Sequence, residues 1–171
     1  MGIDPGDELV EEVAADGGVA RVVTRREMRA GNLRHRNVAV VVQRSSGAVV
    51  VHQRSDWKDV HPSLWDIAFG GVPNVAETDE QAAVRELAEE AGLVVGPDDL
   101  VDLGRGVHDD EYTRWTGRFF VVSSDAPLTP ADGEVAQMAE VQAAELAAWA
   151  LDHPVCPDAQ ALLRLVSKLH A

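Results

Sequence analysis

The stretch Gly71–Leu93 constrains this chain most, because it asks one short helix to carry several carboxylates on one side. Thr78 followed by Gln81 is a capping-box pattern, which makes Thr78 the expected N-cap. Asp79 and Glu80 fall in the first turn, where the positive end of the helix dipole favours acids. Ala82, Ala83, Val84, Leu87 and Ala88 continue the helix, and Gly92 stands where a left-handed closing residue is wanted. The pattern predicts a helix over Asp79–Ala91. On it, Glu86, Glu89 and Glu90 lie within an arc of roughly 100°. Each like-charged neighbour pair costs about 0.2–0.5 kcal/mol on an isolated helix. Arg85 precedes Glu89 by one turn and can hold a carboxylate, while Val84, Leu87 and Ala91 form the opposite, buried stripe. Taken alone, the pattern reads as a solvated acidic face. A divalent cation is the other way to neutralise such crowding.

Composition sets limits on partners. The 171 residues fit a single domain with an ordinary core, and 46% hydrophobic content excludes a largely disordered chain. The formal charge of −14 argues against a nucleic-acid backbone or an anionic membrane as partner. Cys156 is the only cysteine, so no internal disulfide forms and a reducing compartment is expected. It sits before Pro157 in a turn-like stretch and makes a poor catalytic candidate. With no membrane-length apolar run and no signal-peptide pattern, the expected location is cytoplasmic.

The rest of the chain organises around the acidic helix. Residues 8–13 and 18–23 read as two short strands joined by the turn at Asp16-Gly17-Gly18. A short helix capped by Thr24 and ended by Gly31 follows. Residues 37–43 and 48–54 read as a strong hairpin pair around Ser45-Ser46-Gly47. Residues 64–69 and 118–123 are further strand candidates, and 135–141 is ambiguous. Residues 143–150 and 158–169 are helical by periodicity. The expected fold is therefore α/β, a mixed sheet flanked by helices. It is read as one domain over residues 1–171, with an N-terminal hairpin-and-helix extension at 1–35, a core at 36–150 and a C-terminal helix at 151–171. The extension is a candidate pocket wall or homodimer contact.

Gly71, Glu77, Arg85, Glu86, Leu87, Glu89, Glu90, Gly92 and Leu93 stand at the spacing Gly-x5-Glu-x7-Arg-Glu-aliphatic-x-Glu-Glu-x-Gly-aliphatic. This resembles the signature of the Nudix hydrolases, with every defining position filled. The resemblance implies an α/β/α sandwich and a loop–helix–loop site for Mg²⁺ or Mn²⁺. It also implies hydrolysis of a small molecule in which a diphosphate is linked to another group. Carried over residue by residue, Glu86, Glu89 and Glu90 are the implied metal ligands, with the Gly71 carbonyl as a further one. Arg85 is implied to orient a glutamate, and Glu77 to support the loop. Such oxygen ligands suit a hard cation.

Other residues are candidates outside that motif. Arg54 and Lys58, with Arg44 as a further option, read either as a clamp on substrate phosphates or as ordinary surface charge. Trp57 reads either as a stacking face or as a partly buried tryptophan. The run His108-Asp109-Asp110-Glu111-Tyr112 reads as a solvated acidic loop, with a base-carrying flap as the alternative. Glu134 is the best candidate for the late glutamate that often serves Nudix enzymes as base or further ligand, with Asp132 as its rival.

Arg34-His35-Arg36, Gln53-Arg54-Ser55, Lys58 and Trp65-Asp66-Ile67 look more like the isopentenyl-diphosphate-isomerase-like Nudix group. That isomerase needs a cysteine, which aligns near Gly70, and a metal-binding histidine, which aligns near Val72. Both are absent, so the carboxylates point to hydrolysis. His35 and His61 remain, and His35 reads as a strand-edge residue satisfied locally. A nucleotide-binding module without catalysis is a third reading, against which stands the complete set of carboxylates. The expected substrate is a nucleoside diphosphate derivative or related metabolite, with Trp57, Tyr112 and Trp115 as candidate stacking faces.

Overall fold

The computed structural model describes residues 4–131 and 133–166. Its centre is β3 (His35–Gln43), a strand rich in valine on both faces. One edge of β3 pairs in parallel with β8 (Arg114–Ser123), from His35 opposite Trp115 to Gln43 opposite Ser123. Its other edge takes β6 (Phe69–Gly71) antiparallel across Val38–Val40. A parallel pair needs a long crossover, and α2 (Asp79–Ala91) lies within it. The outer edge of β8 carries β7 (Val101–Asp109). β4 (Ala48–Arg54) pairs with β9 (Val135–Gln142) and with β5 (Trp65–Asp66).

The predicted hairpin of residues 37–54 is thus a corner rather than a pair. Beyond the turn only Gln43 and Val49 stand in register. A strand has two edges, and β3 gives its two to β8 and β6, so β4 departs to build its own part of the sheet. The predicted strand 64–69 divides for the same reason: β5 belongs to β4, β6 belongs to β3, and Ile67-Ala68 crosses between them.

Helices cover both faces, giving the α/β/α sandwich. α2 packs Ala82, Ala83, Leu87 and Ala91 on Val38, Val40, Val42, Phe120 and Val122. Its buried stripe runs through Ala82 and Ala83 rather than the expected Val84, and Glu90 is buried too. Thr78 and Gln81 exchange hydrogen bonds of 3.2 and 3.0 Å, and Gly92 closes the helix at φ 66°. On the other face α3 (Leu146–Asp152) and α4 (Ala159–Val166) place Leu146, Leu162 and Val166 against Val41, Val49, Phe119 and Val121. Of the predicted helix 158–169, the last three residues lie outside the described ones. Trp65 N–H donates to the Pro154 carbonyl and Cys156 N–H to the Trp65 carbonyl, both at 2.8 Å, fastening the segment before α4 to β5.

The N-terminal part forms β1 (Leu9–Val13), β2 (Val19–Thr24) and α1 (Arg25–Ala30), with a Thr24–Glu27 capping box. Arg36 ties it to α2 by ion pairs to Glu11 at 2.8 Å and Asp79 at 2.6 Å. Among the described residues no helix is long and apolar enough to cross a membrane.

Two buried histidines make this packing sensitive to acid. Burial lowers the pKa of His35 to about 4 and of His52, stacked on Phe69, to about 3. The unfolded histidines titrate near 6.5. Below that pH the unfolded chain binds protons that the folded one refuses, so this contribution is complete above pH 6.5 and shrinks as pH falls. Among the described residues His52 Nδ1 has no hydrogen-bond partner, so His52→Leu removes the proton acceptor without orphaning one. Urea midpoints measured from pH 7 to 4 should show His52→Leu losing about 3 kcal/mol less than the parent. Equal losses contradict the burial of a neutral imidazole.

Candidate active site

The site forms where the end of β6 meets α2. Gly70 is in such close contact with β3 that a Cβ on it would stand 2.0 Å from the Val38 carbonyl oxygen. Its N–H donates to Glu90 Oε2 at 2.8 Å. A Cβ on Gly71 would meet Glu86 Oε1 at 2.8 Å. The two glycines therefore let the strand end lie directly under two helix carboxylates.

Arg85 organises the acids around it. It grips Glu77 with two bonds of 3.0 Å, and its Nη1 donates to Glu86 at 2.8 Å and Glu89 at 3.1 Å. The Glu77 bonds, foremost, hold the guanidinium charged and keep Glu77 below the usual carboxylate range. Glu77 also accepts from Asn74 N–H at 2.8 Å and so supports the loop. Glu90 is only 6% exposed. Burial first, then the Glu86 charge, lifts its pKa well above the ordinary range, against the Gly70 hydrogen bond. Burial also raises Glu86, opposed by Arg85.

One cavity of about 670 Å³ is lined by Gly71, Arg85, Glu86, Glu89 and Glu90 and also by Arg54, Trp57, Lys58 and Glu134. The volume suits a small molecule. Arg54 comes from the end of β4 and is not the surface charge of one sequence reading; its Nε donates to the Val60 carbonyl at 3.2 Å. Lys58 is ion-paired to Glu134, which follows from the Ser55 N–H bond to the Glu134 carbonyl at 2.9 Å joining the two segments. Trp57 is 61% exposed, so the partly buried alternative is corrected.

Other candidates lie elsewhere. Arg44 pins the β3–β4 corner through Glu140 and the carbonyls of Ser124 and Ala126, each at 2.8 Å. His108 and Asp109 end β7, and Asp110 caps the following turn by accepting from Tyr112 and Thr113 N–H at 2.8 Å. None of residues 108–112 lines the cavity; Asn32 donates to the Asp110 carbonyl at 2.8 Å, and Asp109 pairs with Arg34 and Arg114. Asp132 lies outside the described residues. His35 is buried rather than at a strand edge, with Nδ1 3.1 Å from the Leu33 carbonyl.

Two lining residues escaped the sequence reading as site candidates. Asp66 and Asp158 meet in this cavity together with Trp115, one of the expected stacking faces, Cys156 and His61. Burial and the nearby Asp158 charge raise the pKa of Asp66 to about 6. Burial and the same two carboxylates push the Cys156 thiol up, away from thiolate. The bonds between Trp65 and the 154–156 segment bring these residues together, and no local pattern announces them.

As they stand, no three acidic, histidine or cysteine side chains among the described residues are gathered tightly enough to grip one ion. The reason is visible in Arg85, which spans Glu86 and Glu89, and in Gly70, which holds Glu90. The donor chemistry nonetheless fits a hard cation: Mg²⁺ commonly takes one or two carboxylates beside phosphate and water. Glu86, half-buried, and Glu90, buried, are such a pair, one helical turn apart on the cavity wall.

Comparison with known proteins places this architecture. The NUDIX domain family matches residues 33–164. The Salmonella typhi protein YfcD, described as an uncharacterized Nudix hydrolase, is 31% identical over 82% of this chain and 76% of its own length. Another uncharacterized Nudix hydrolase, orf19 of Rhodococcus erythropolis, is 30% identical over 94% of this chain and 92% of its own. Among solved structures, DR0079 from Deinococcus radiodurans superposes with a TM-score of 0.76 at 22% identity, covering 96% of this chain and all (100%) of that one. The NUDIX domain of Shewanella oneidensis NrtR, solved with ADP ribose, superposes with a TM-score of 0.65 at 18% identity, covering 87% and 100%. With a family match over most of its length and relatives above the level of chance across nearly all of it, the chain belongs to the Nudix family.

Proposed function

We propose that the protein is a hydrolase, dependent on Mg²⁺ or Mn²⁺, that cleaves a diphosphate linkage in a nucleoside diphosphate derivative or related small metabolite. One observation carries this: the helix glutamates and the cations Arg54 and Lys58 line a single cavity. Glu86, Glu89 and Glu90, with the Gly71 carbonyl, are the residues to hold the metal. A bound divalent cation offsets phosphate charge and lowers the pKa of water.

The chain's own groups divide the remaining work. Arg85 stays charged against Glu77 and fixes the orientation of Glu86. Among the described residues Arg54 has no other side-chain hydrogen bond than that to Val60, so its terminal nitrogens remain to donate to phosphate oxygens in bidentate fashion. Trp57, at the mouth, offers a face to a base. Glu134, held by Lys58, is the candidate base. In the step, a water oxygen bonds to one phosphorus and its proton passes to the carboxylate. The bridging P–O bond breaks, and the bridging oxygen leaves with the other phosphate.

The isomerase reading is disfavoured because glycine and valine stand at positions 70 and 72, near where its cysteine and metal-binding histidine align. A screen of diphosphate-linked metabolites tests the proposal. Phosphate release, with a phosphatase added where the products are two monoesters, should require Mg²⁺ or Mn²⁺ and stop with chelator. Tight binding of a nucleotide without cleavage of any diphosphate would support the binding-module reading instead.

A further inference from the structure

The N-terminal helix reaches the same cavity, and the hydrolytic step leaves its charges unused. Met28 of α1 packs with Val10, Val23 and Val72, the residue after Gly71, so α1 is seated on the strand end that carries the site. Arg25 and Arg29, one turn apart on α1, line the cavity together with Arg54. The Arg25 charge reaches Glu86, and Arg29 lies within electrostatic reach of both Arg25 and Arg54. Three guanidinium groups therefore face one space. Burial lowers the pKa of Arg29, Asp59 opposes that, and the charges of Arg25 and Arg54 add to the fall. Asp59 stands 3.3 Å from Arg29 Nε, yet Nε is buried and makes no hydrogen bond among the described residues. Buried polar atoms are nearly always satisfied, so a donor left open on a cavity wall marks where a ligand acceptor belongs.

We infer that Arg25 and Arg29 form a subsite for a further anionic group of the substrate, a phosphate outside the scissile diphosphate. This rests on the diphosphate-hydrolase reading above and adds a third phosphate to the substrate. The scissile pair already has the metal, Arg54 and Lys58 to offset its charge, so two more guanidinium groups exceed what it needs. A cationic group would add to the repulsion that Arg29 already meets. A hydrocarbon would dehydrate the arginines and leave the Arg29 Nε–H unsatisfied. A phosphate relieves both faults, because its several oxygens accept from two guanidinium groups at once. The present counter-ions do not block it. Glu8, 2.9 Å from Arg25, and Asp59 are each more exposed than the arginine they face, so both can turn to water when a stronger anion enters.

Pairs of compounds that differ by one phosphate test this. In ADP and ATP the extra phosphate stands in line with the diphosphate. In NADH and NADPH, and in dephospho-coenzyme A and coenzyme A, it sits on the attached nucleoside. Hydrolysis of each is followed by product chromatography with Mg²⁺ and with Mn²⁺. In at least one pair the native protein should use the more phosphorylated member about tenfold better in kcat/KM, and the pair that shows it locates the phosphate. Arg29→Gln should cut that preference to about twofold or less, through KM rather than kcat. Equal use within every pair, or hydrolysis confined to compounds without the extra phosphate, overturns the subsite while leaving the hydrolase reading intact, and needs no variant. A preference that survives in folded Arg29→Gln and Arg25→Gln variants does the same. No hydrolysis of any diphosphate overturns both.

Discussion

Glu86→Gln combined with Glu89→Gln should lower diphosphate hydrolysis by about a thousand-fold or more while the protein stays folded. The magnitude follows from the chemistry. A bound cation supplies several kcal/mol of transition-state stabilisation, and each 1.4 kcal/mol or so is a factor of ten. The variant removes two of the charges proposed to hold that cation. The fold should tolerate it for reasons visible in the site. Burial already opposes ionisation of Glu86, so a neutral amide there relieves strain on the charge rather than creating it. Glu89 is half-exposed and packs against little. Arg85 keeps its two bonds to Glu77, so no buried guanidinium is stranded. The measurements are kcat at saturating metal, the metal concentration giving half-maximal rate, and the thermal midpoint. Undiminished turnover removes these glutamates from the mechanism; lost activity with a collapsed midpoint assigns them a structural role.

The parts of the molecule legible in the sequence are those specified locally. α2 carries its own start at Thr78 and Gln81 and its own stop at Gly92, and both ends stand where the pattern puts them. The valine-rich strands β3 and β4 are equally plain, because burial on both faces needs an unbroken apolar run. Their partners are not plain, since pairing depends on which edges distant strands occupy. β7 escaped altogether: it is a mostly exposed edge strand with an irregularity in register between Asp102 and Gly104, and its alternation of Val101, Leu103 and Val107 is broken by Arg105 and two glycines. The site divides the same way. The glutamates share one helix and one motif, whereas Asp66 and Asp158 meet only because backbone bonds dock the 154–156 segment on β5. Lys58 and Glu134 were each candidates, but their ion pair depends on the β4 and β9 segments meeting at Ser55.

That non-local dependence makes Gly70→Ala the substitution with the largest expected effect on stability. The added methyl would stand 2.0 Å from the Val38 carbonyl oxygen and 2.8 Å from Ala39 Cα, both backbone atoms of the central strand. No rotamer change relieves a clash between two main chains, so β6 must move off β3 and give up the pairing across Val38–Val40. Retreat of β6 also takes the Gly70 N–H away from Glu90, leaving a buried carboxylate without that donor. Combined loss of ladder bonds, packing of Phe69 and this hydrogen bond falls among the exceptional single changes, about 4 kcal/mol or more. In a chain of this length that lowers the thermal midpoint by about 10 °C or more. Gly104→Ala is the control, because a Cβ there meets nothing within 4 Å and the change carries only the strain of a positive φ. It should shift the midpoint by a few degrees at most. Similar shifts in the two variants would mean that the close approach of β6 to β3 does not hold in solution, and with it the placement of Glu90 beneath the strand end.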